Sequence, residues 1–378
     1  MLSYRKLAMR VLGRPLHTGG GGGIDSPRPA SQRAAAFALT AAMLITLTAP
    51  AFAETWYIEN GDITVKASGT EGKNTVSQGD KKDVEDTNTI ITNQKTDKAS
   101  SHTVTIDAGN DKVEVTLDNV NIKADSGSAL ISKGDVTLTL KGDNHLTGGN
   151  GGSGANGISS SGSLTISGGT VTATGGDSTS SVGSGGSGIY SVSGDVTISG
   201  GTVNANGGSG IDSSGGVTVS GGTVTANGGD SKDGDGGNGG YGGYGISSSG
   251  VAISGGTVEA AGGVGKNGSG GSGIYSSGID LSGSLELTAK AGSPNGKALS
   301  QNGKELDLDT INKDKLDPGA KVTAINANGD SKQVSIPRPV EPEKPVIPEE
   351  SSSSSDGGSS APSAPASPLP GLTVTDKD

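Results

Sequence analysis

Val196–Gly208 reads VTISGGTVNANGG, and three near-copies surround it: LTISGGTVTATGG from Leu164, VTVSGGTVTANGG from Val217 and VAISGGTVEAAGG from Val251. Aligned on their apolar residues, the copies form columns. One runs Leu130, Ile158, Ile189, Ile211, Ile246, Ile274, Leu299; a second runs Val136, Leu164, Val196, Val217, Val251, Ile279, Leu306. A third follows two residues later (Leu138, Ile166, Ile198, Val219, Ile253, Leu281, Leu308), and a fourth collects Val171, Val203, Val224 and Val258. Between these positions stand Thr, Ser and Asn. Alternation of period two over three to five residues marks short strands with one face inward and one outward.

Glycine pairs and Ser-Gly steps separate the strands, where a chain that turns sharply uses the positive φ open to glycine. Ile189 and Ile211 are 22 residues apart, whereas other copies are longer and carry insertions such as GGDSTSSVGSGGS and GGDSKDGDGGNGGYGG. The expectation is an all-β chain forming a right-handed parallel β-helix, a solenoid of about 22-residue rungs with Gly-rich corner insertions. A disordered Gly/Ser linker would not keep aliphatic columns in register.

Outward from the repeats, the chain divides by composition. Residues 1–53 read as a signal peptide: basic residues from Arg5 to Arg33, the apolar AAAFALTAAMLITLTA, and Ala51-Phe52-Ala53 before Glu54. Residues 54–125 read as N-terminal strands and cap, 126–310 as the repeat body, and 311–336 as C-terminal strands or cap. A Pro/Ser-rich linker is expected at 337–368, and 369–378 (LPGLTVTDKD) has the pattern of a strand opening a further, truncated domain. Secretion or cell-surface display follows, with no transmembrane helix in the mature chain.

The 378-residue chain has 28 Lys and Arg against 39 Asp and Glu. Removal of the leader leaves 22 against 38, a net charge of −16 that repels nucleic acid. There is no cysteine, so disulfides, thiol catalysis and Cys-ligated metals are excluded. The aromatics beyond the leader are Trp56, Tyr57, Tyr190, Tyr241, Tyr244 and Tyr275, too few for an ordinary globular core.

The stretch VEVTLDNVNIKADSGSALISKGDVTLTLKGDNHLTGG, Val113–Gly149, with its TLDNVNI, SALIS and GDVTLTLKGDNHLTG segments in that order, resembles secreted bacterial carbohydrate-binding proteins of parallel β-helix type, with coils like those of pectate lyases. The likeness covers about residues 100–310 and implies calcium-assisted polysaccharide binding without catalysis. No individual binding residue carries over by motif.

The residues themselves offer two candidate sites. Tyr190 and Tyr275 each follow an inward Ile and point outward, and Tyr241 and Tyr244 lie in an adjoining insertion; tyrosine faces stack on sugar rings. Asp230, Asp233 and Asp235 on one glycine-rich loop are candidate Ca2+ ligands, although their spacing does not fit an EF-hand. Catalytic residues are not singled out: His102 and His145 are isolated, no G-x-S-x-G is present, and no Arg occurs between Arg33 and Arg338. The outward threonines Thr170, Thr202, Thr223 and Thr257 raise ordered-water binding as a remote alternative.

The reading is therefore a non-catalytic protein binding plant or bacterial cell-wall polysaccharide. A structural stalk or adhesin is the alternative, and a polysaccharide lyase the third. Millimolar Ca2+ is expected to raise the melting temperature through linkage, and the triple replacement of Asp230, Asp233 and Asp235 by Asn to abolish the rise. Parallel thermal melts of the two proteins check it; an equal rise in both would place the ion elsewhere.

Overall fold

A computed structural model describes residues 54–179, 185–231 and 240–339. The contact pattern separates Met1–Arg338 from Pro339–Asp378, and the architecture below belongs to the first unit. Among the described residues the chain is all β except for three 3-10 turns of three residues each.

The strands pair in three parallel rows. In the first, Ile63, Val104, Leu130, Ile158, Ile189, Ile211, Ile246, Ile274 and Leu299 stand opposite one another in succession. The second joins Val113, Val136, Leu164, Val196, Val217, Val251 and Ile279. The third is eight strands deep, through Ile122, Leu146, Ala173, Ala205, Ala226, Ala260, Ala289 and Ala324. Adjacent strands lie about 4.8 Å apart, so each aliphatic side chain sits on its equivalent in the next strand. All three rows turn their apolar residues into one continuous buried cluster.

The expected architecture, an open right-handed β-helix of 22-residue rungs, is corrected. The pairings show a parallel-stranded wall closed round a single apolar interior, with no fixed residue period. Successive members of the first row from Leu130 to Leu299 lie 28, 31, 22, 35, 28 and 25 residues apart. The physical reason is that in-register pairing of the aliphatic columns sets the cross-section, and a loop outside the ladder changes length at small entropic cost. Nor is the ladder parallel throughout. Ile63–Ala67, Asn74–Gln78 and Lys81–Asp86 form an antiparallel meander at the N-terminal end, and Lys321–Ile325 with Ser331–Ser335 form an antiparallel hairpin at the other. Leu306 and Leu308 leave their columns too: Leu308 is buried in a 3-10 turn.

A polar column lies inside the wall. Two residues beyond Ile158, Ile189, Ile246 and Ile274 stands a buried serine whose hydroxyl donates to a carbonyl at the following bend: Ser160 to Gly162 at 2.9 Å, Ser191 to Ser193 at 3.0 Å, Ser248 to Gly250 at 2.7 Å, Ser276 to Gly278 at 2.8 Å. These bonds satisfy acceptors that the bend withdraws from the ladder. At the N-terminal end, buried Trp56 donates its Nε1–H to the buried carboxylate of Asp86 at 2.8 Å, tying the meander to the first strand.

Glycine serves in two distinct ways, which refines the expectation that it serves turning alone. Gly201, at the bend between the second and third rows, has φ of 78° and is a turn glycine. Those beyond the third row are required by close approach. A Cβ on Gly243 would lie 1.6 Å from the Gly208 carbonyl oxygen, although Gly243 has no positive φ. Here main chain packs on main chain: Gly208 N–H donates to Gly186 at 2.6 Å, Gly263 to Gly243 and Gly271 to Gly263 at 2.9 Å each.

Gly243→Ala is expected to destabilise the protein by about 1–3 kcal/mol, the cost of overpacking where backbone cannot retreat. Gly250→Ala, where nothing lies within 4 Å of a new Cβ, should be neutral or stabilise by up to about 1 kcal/mol. Denaturant unfolding of the two variants checks the contrast, which equal losses would refute.

Candidate functional site

The first row has an outward face made of the residues that follow each buried aliphatic. Ser159, Tyr190, Asp212, Ser247, Tyr275 and Ser300 stand there side by side on consecutive strands. At about 4.8 Å per strand, Tyr190 and Tyr275 are about 14 Å apart along the ladder. Asp212 lies next to Tyr190, and Ser247 separates it from Tyr275.

Tyr244 completes this patch from the corner that leads into Ile246–Ala261. Its carbonyl accepts a hydrogen bond from Gly210 N–H at 3.0 Å, and flanking Gly243 and Gly245 are packed too closely for any side chain. The main chain is pinned on both sides. The ring is thereby directed onto Tyr275, with centroids 5.0 Å apart and planes inclined by 21°. Such an offset stack is favourable by about 0.5–1.5 kcal/mol beyond the area it buries. It holds two aromatic rings as one preorganised surface, with Tyr275 39% exposed.

Asp212 is part of the same locus. It is half-buried, and burial raises its carboxyl above the ordinary Asp value; a hydrogen bond from the Ser247 hydroxyl opposes the shift. The Tyr244 phenol is raised as well, first by burial and then by the proximity of Tyr275 and of the Asp212 carboxylate. Both shifts follow from placing acidic groups together in a partly desolvated setting.

Of the four tyrosines expected to bind carbohydrate, the structure brings Tyr244 and Tyr275 into contact and aligns Tyr190 with them across Asp212. Tyr241 stands elsewhere. It is 56% exposed and borders a groove of about 370 Å3 at the glycine corner, lined also by Asn206, Asn227, Asp230 and Ser231. In that groove Asn227 Nδ2 donates to Asn206 Oδ1 at 2.9 Å. Asp230 is exposed, and its Oδ1 accepts the Val264 N–H at 2.6 Å, joining two segments of the corner. Asp233 and Asp235 lie outside the described residues. Among the described residues no group of three His, Asp or Glu side chains is arranged to hold a metal ion.

In the sequence Asp212, as a slot-mate of Tyr190 and Tyr275, breaks up a continuous tyrosine platform; its closeness to the stacked pair shows only in the structure. The Tyr244 stack needed three dimensions, since Tyr244 precedes its aliphatic by two residues and reaches the neighbouring strand. The outward threonine file Thr170, Thr202, Thr223 and Thr257 is continuous, but the file beside it contains Asn204 and the exposed Glu259. No helix among the described residues is long and apolar enough to cross a membrane.

Compared with known protein families, with curated proteins and with solved structures, the chain matches none.

Asp212 gives a pH test of the patch. With its folded pKa above the unfolded one, the folded state holds the proton more tightly, so stability falls as pH rises from the ordinary value of 3.8 through the raised one. Asp212→Asn removes this cost. Its melting temperature is expected to equal or exceed the parent's at pH 7, with the advantage shrinking as the pH falls to about 4. Paired melts across that range check it, and a lower value for the variant at pH 7 would contradict the assignment.

Proposed function

We propose that this protein binds polysaccharide on the outward face of its first strand row and does no chemistry on it. The observation that carries the reading is the Tyr244–Tyr275 stack, a half-exposed aromatic surface held at a fixed angle on a rigid ladder. Pyranose rings present C–H faces that pack on such surfaces, and Asp212, Ser247 and Tyr190 stand beside it with groups that bond hydroxyls. Side chains on strands lose little freedom on binding, which favours affinity from few contacts.

The resemblance of Val113–Gly149 to secreted carbohydrate-binding proteins supports the same reading. So does the leader-like sequence of residues 1–53, which is the kind of segment that an exported protein carries. Calcium assistance belongs to the proposal through the corner loop that contains Asp230, Asp233 and Asp235.

Tyr275→Ala is expected to weaken retention on a bound polysaccharide by about 1 kcal/mol, roughly fivefold, without unfolding the protein. Affinity electrophoresis through gels containing plant and bacterial wall polysaccharides, with and without chelator, measures it. Retention by the parent with no change in the variant would remove tyrosine stacking as the mechanism. Absence of retention on every polysaccharide would leave the structural stalk.

A further inference from the structure

The most unusual group in the tyrosine patch is the carboxylate at its centre. Asp212 is half-buried, and Ser247 supplies its hydrogen bond. Its neighbours in the outward row from Ser159 to Ser300 are serines and tyrosines, and none of the ion pairs among the described residues includes it. A partly desolvated charge without a counter-charge is costly, and a hydroxyl offsets that cost only in part. The aromatic faces beside it carry negative potential, so they attract a cation as well. A uronate brought to this patch would meet a like charge; a neutral sugar would leave the charge uncompensated. A protonated amine satisfies both the carboxylate and the rings.

Resting on the polysaccharide-binding reading, we infer that Asp212 with Tyr244 and Tyr275 forms a subsite for an ammonium group, so that the preferred ligand is an amino-sugar polymer with free amino groups. The ammonium sits against the Asp212 carboxylate and over the outer face of the tyrosine pair, while the sugar ring continues along the row toward Tyr190. Asp212 is then the specificity-determining residue, and the tyrosines supply stacking common to other sugars. The negative charge of the whole chain raises the local concentration of such a cation without selecting this site.

The experiment compares three hexasaccharide probes by calorimetry on the full-length chain: β-1,4-glucosamine, its fully N-acetylated counterpart, and oligogalacturonate. The free amine should bind about tenfold more tightly than the acetylated probe at low salt, and the galacturonate should not bind without added Ca2+. Asp212→Asn should bring the free-amine affinity down to that of the acetylated probe. Glu259→Gln removes the same charge from a different face and should leave the preference intact. Equal or tighter binding of the acetylated probe by the parent, or an amine preference that survives in Asp212→Asn, overturns the inference while the polysaccharide reading stands. Failure of all three probes, together with the wall polysaccharides tried above, overturns both.

Discussion

In the three rows an interior strand is bonded through its main chain to an in-register neighbour on either side, so like stacks on like from one strand to the next. Everything else in the molecule is subordinate to that pairing. It requires that the inward residues be of similar volume along a column, hence Ile, Val and Leu in the first two rows and alternating Val and Ala in the third. It also requires that the bends occur at equivalent places, which the inward serines and the turn glycines mark. What lies outside the ladder is free to vary, and in the glycine corner it does.

This division explains what was legible in the sequence. The columns through Ile189 and Val196 could be read because an inward aliphatic every second residue leaves a strong pattern, and the strands pair along those columns. The expected repeat length could not be trusted, since a spacing measured between two neighbouring copies reports a loop as much as a strand. The inward serine column went unread because serine is a polar residue, and only the bend geometry shows that its hydroxyl has a carbonyl to serve. Gly243 reads as a turn residue in a one-dimensional string; its actual constraint is the carbonyl of Gly208 on a neighbouring strand.

The candidate site follows the same logic. Tyr190 and Tyr275 share an outward slot that alternation alone identifies, and Asp212 shares it too. Tyr244 belongs to the patch by way of the corner, where close backbone packing aims its ring at Tyr275. Thus the aromatic contact at the centre of the patch depends on residues that have no side chains at all. Binding chemistry and scaffold are coupled through glycine.

The antiparallel segments at the two ends of the ladder bear on a different property. A stack of parallel strands is a template: its last strand offers unpaired donors and acceptors that a second chain of the same sequence matches in register, which is how strand-rich proteins polymerise. Here the pairing direction is reversed at the N-terminal end of the first row and at the C-terminal end of the third, whereas Thr89–Thr92 and Thr55–Tyr57 extend the second row in parallel. The outer strand of the N-terminal meander, Lys81–Asp86, reads KKDVED and brings five charges in six residues, and Ser331–Ser335 closes the other end with Lys332 bonded to Asp307 and Asp309. At those two edges an incoming copy would have to pair antiparallel with a strand whose side chains do not match its own columns. Two edges of a highly repetitive ladder are thereby a poor match for in-register extension by its own repeat.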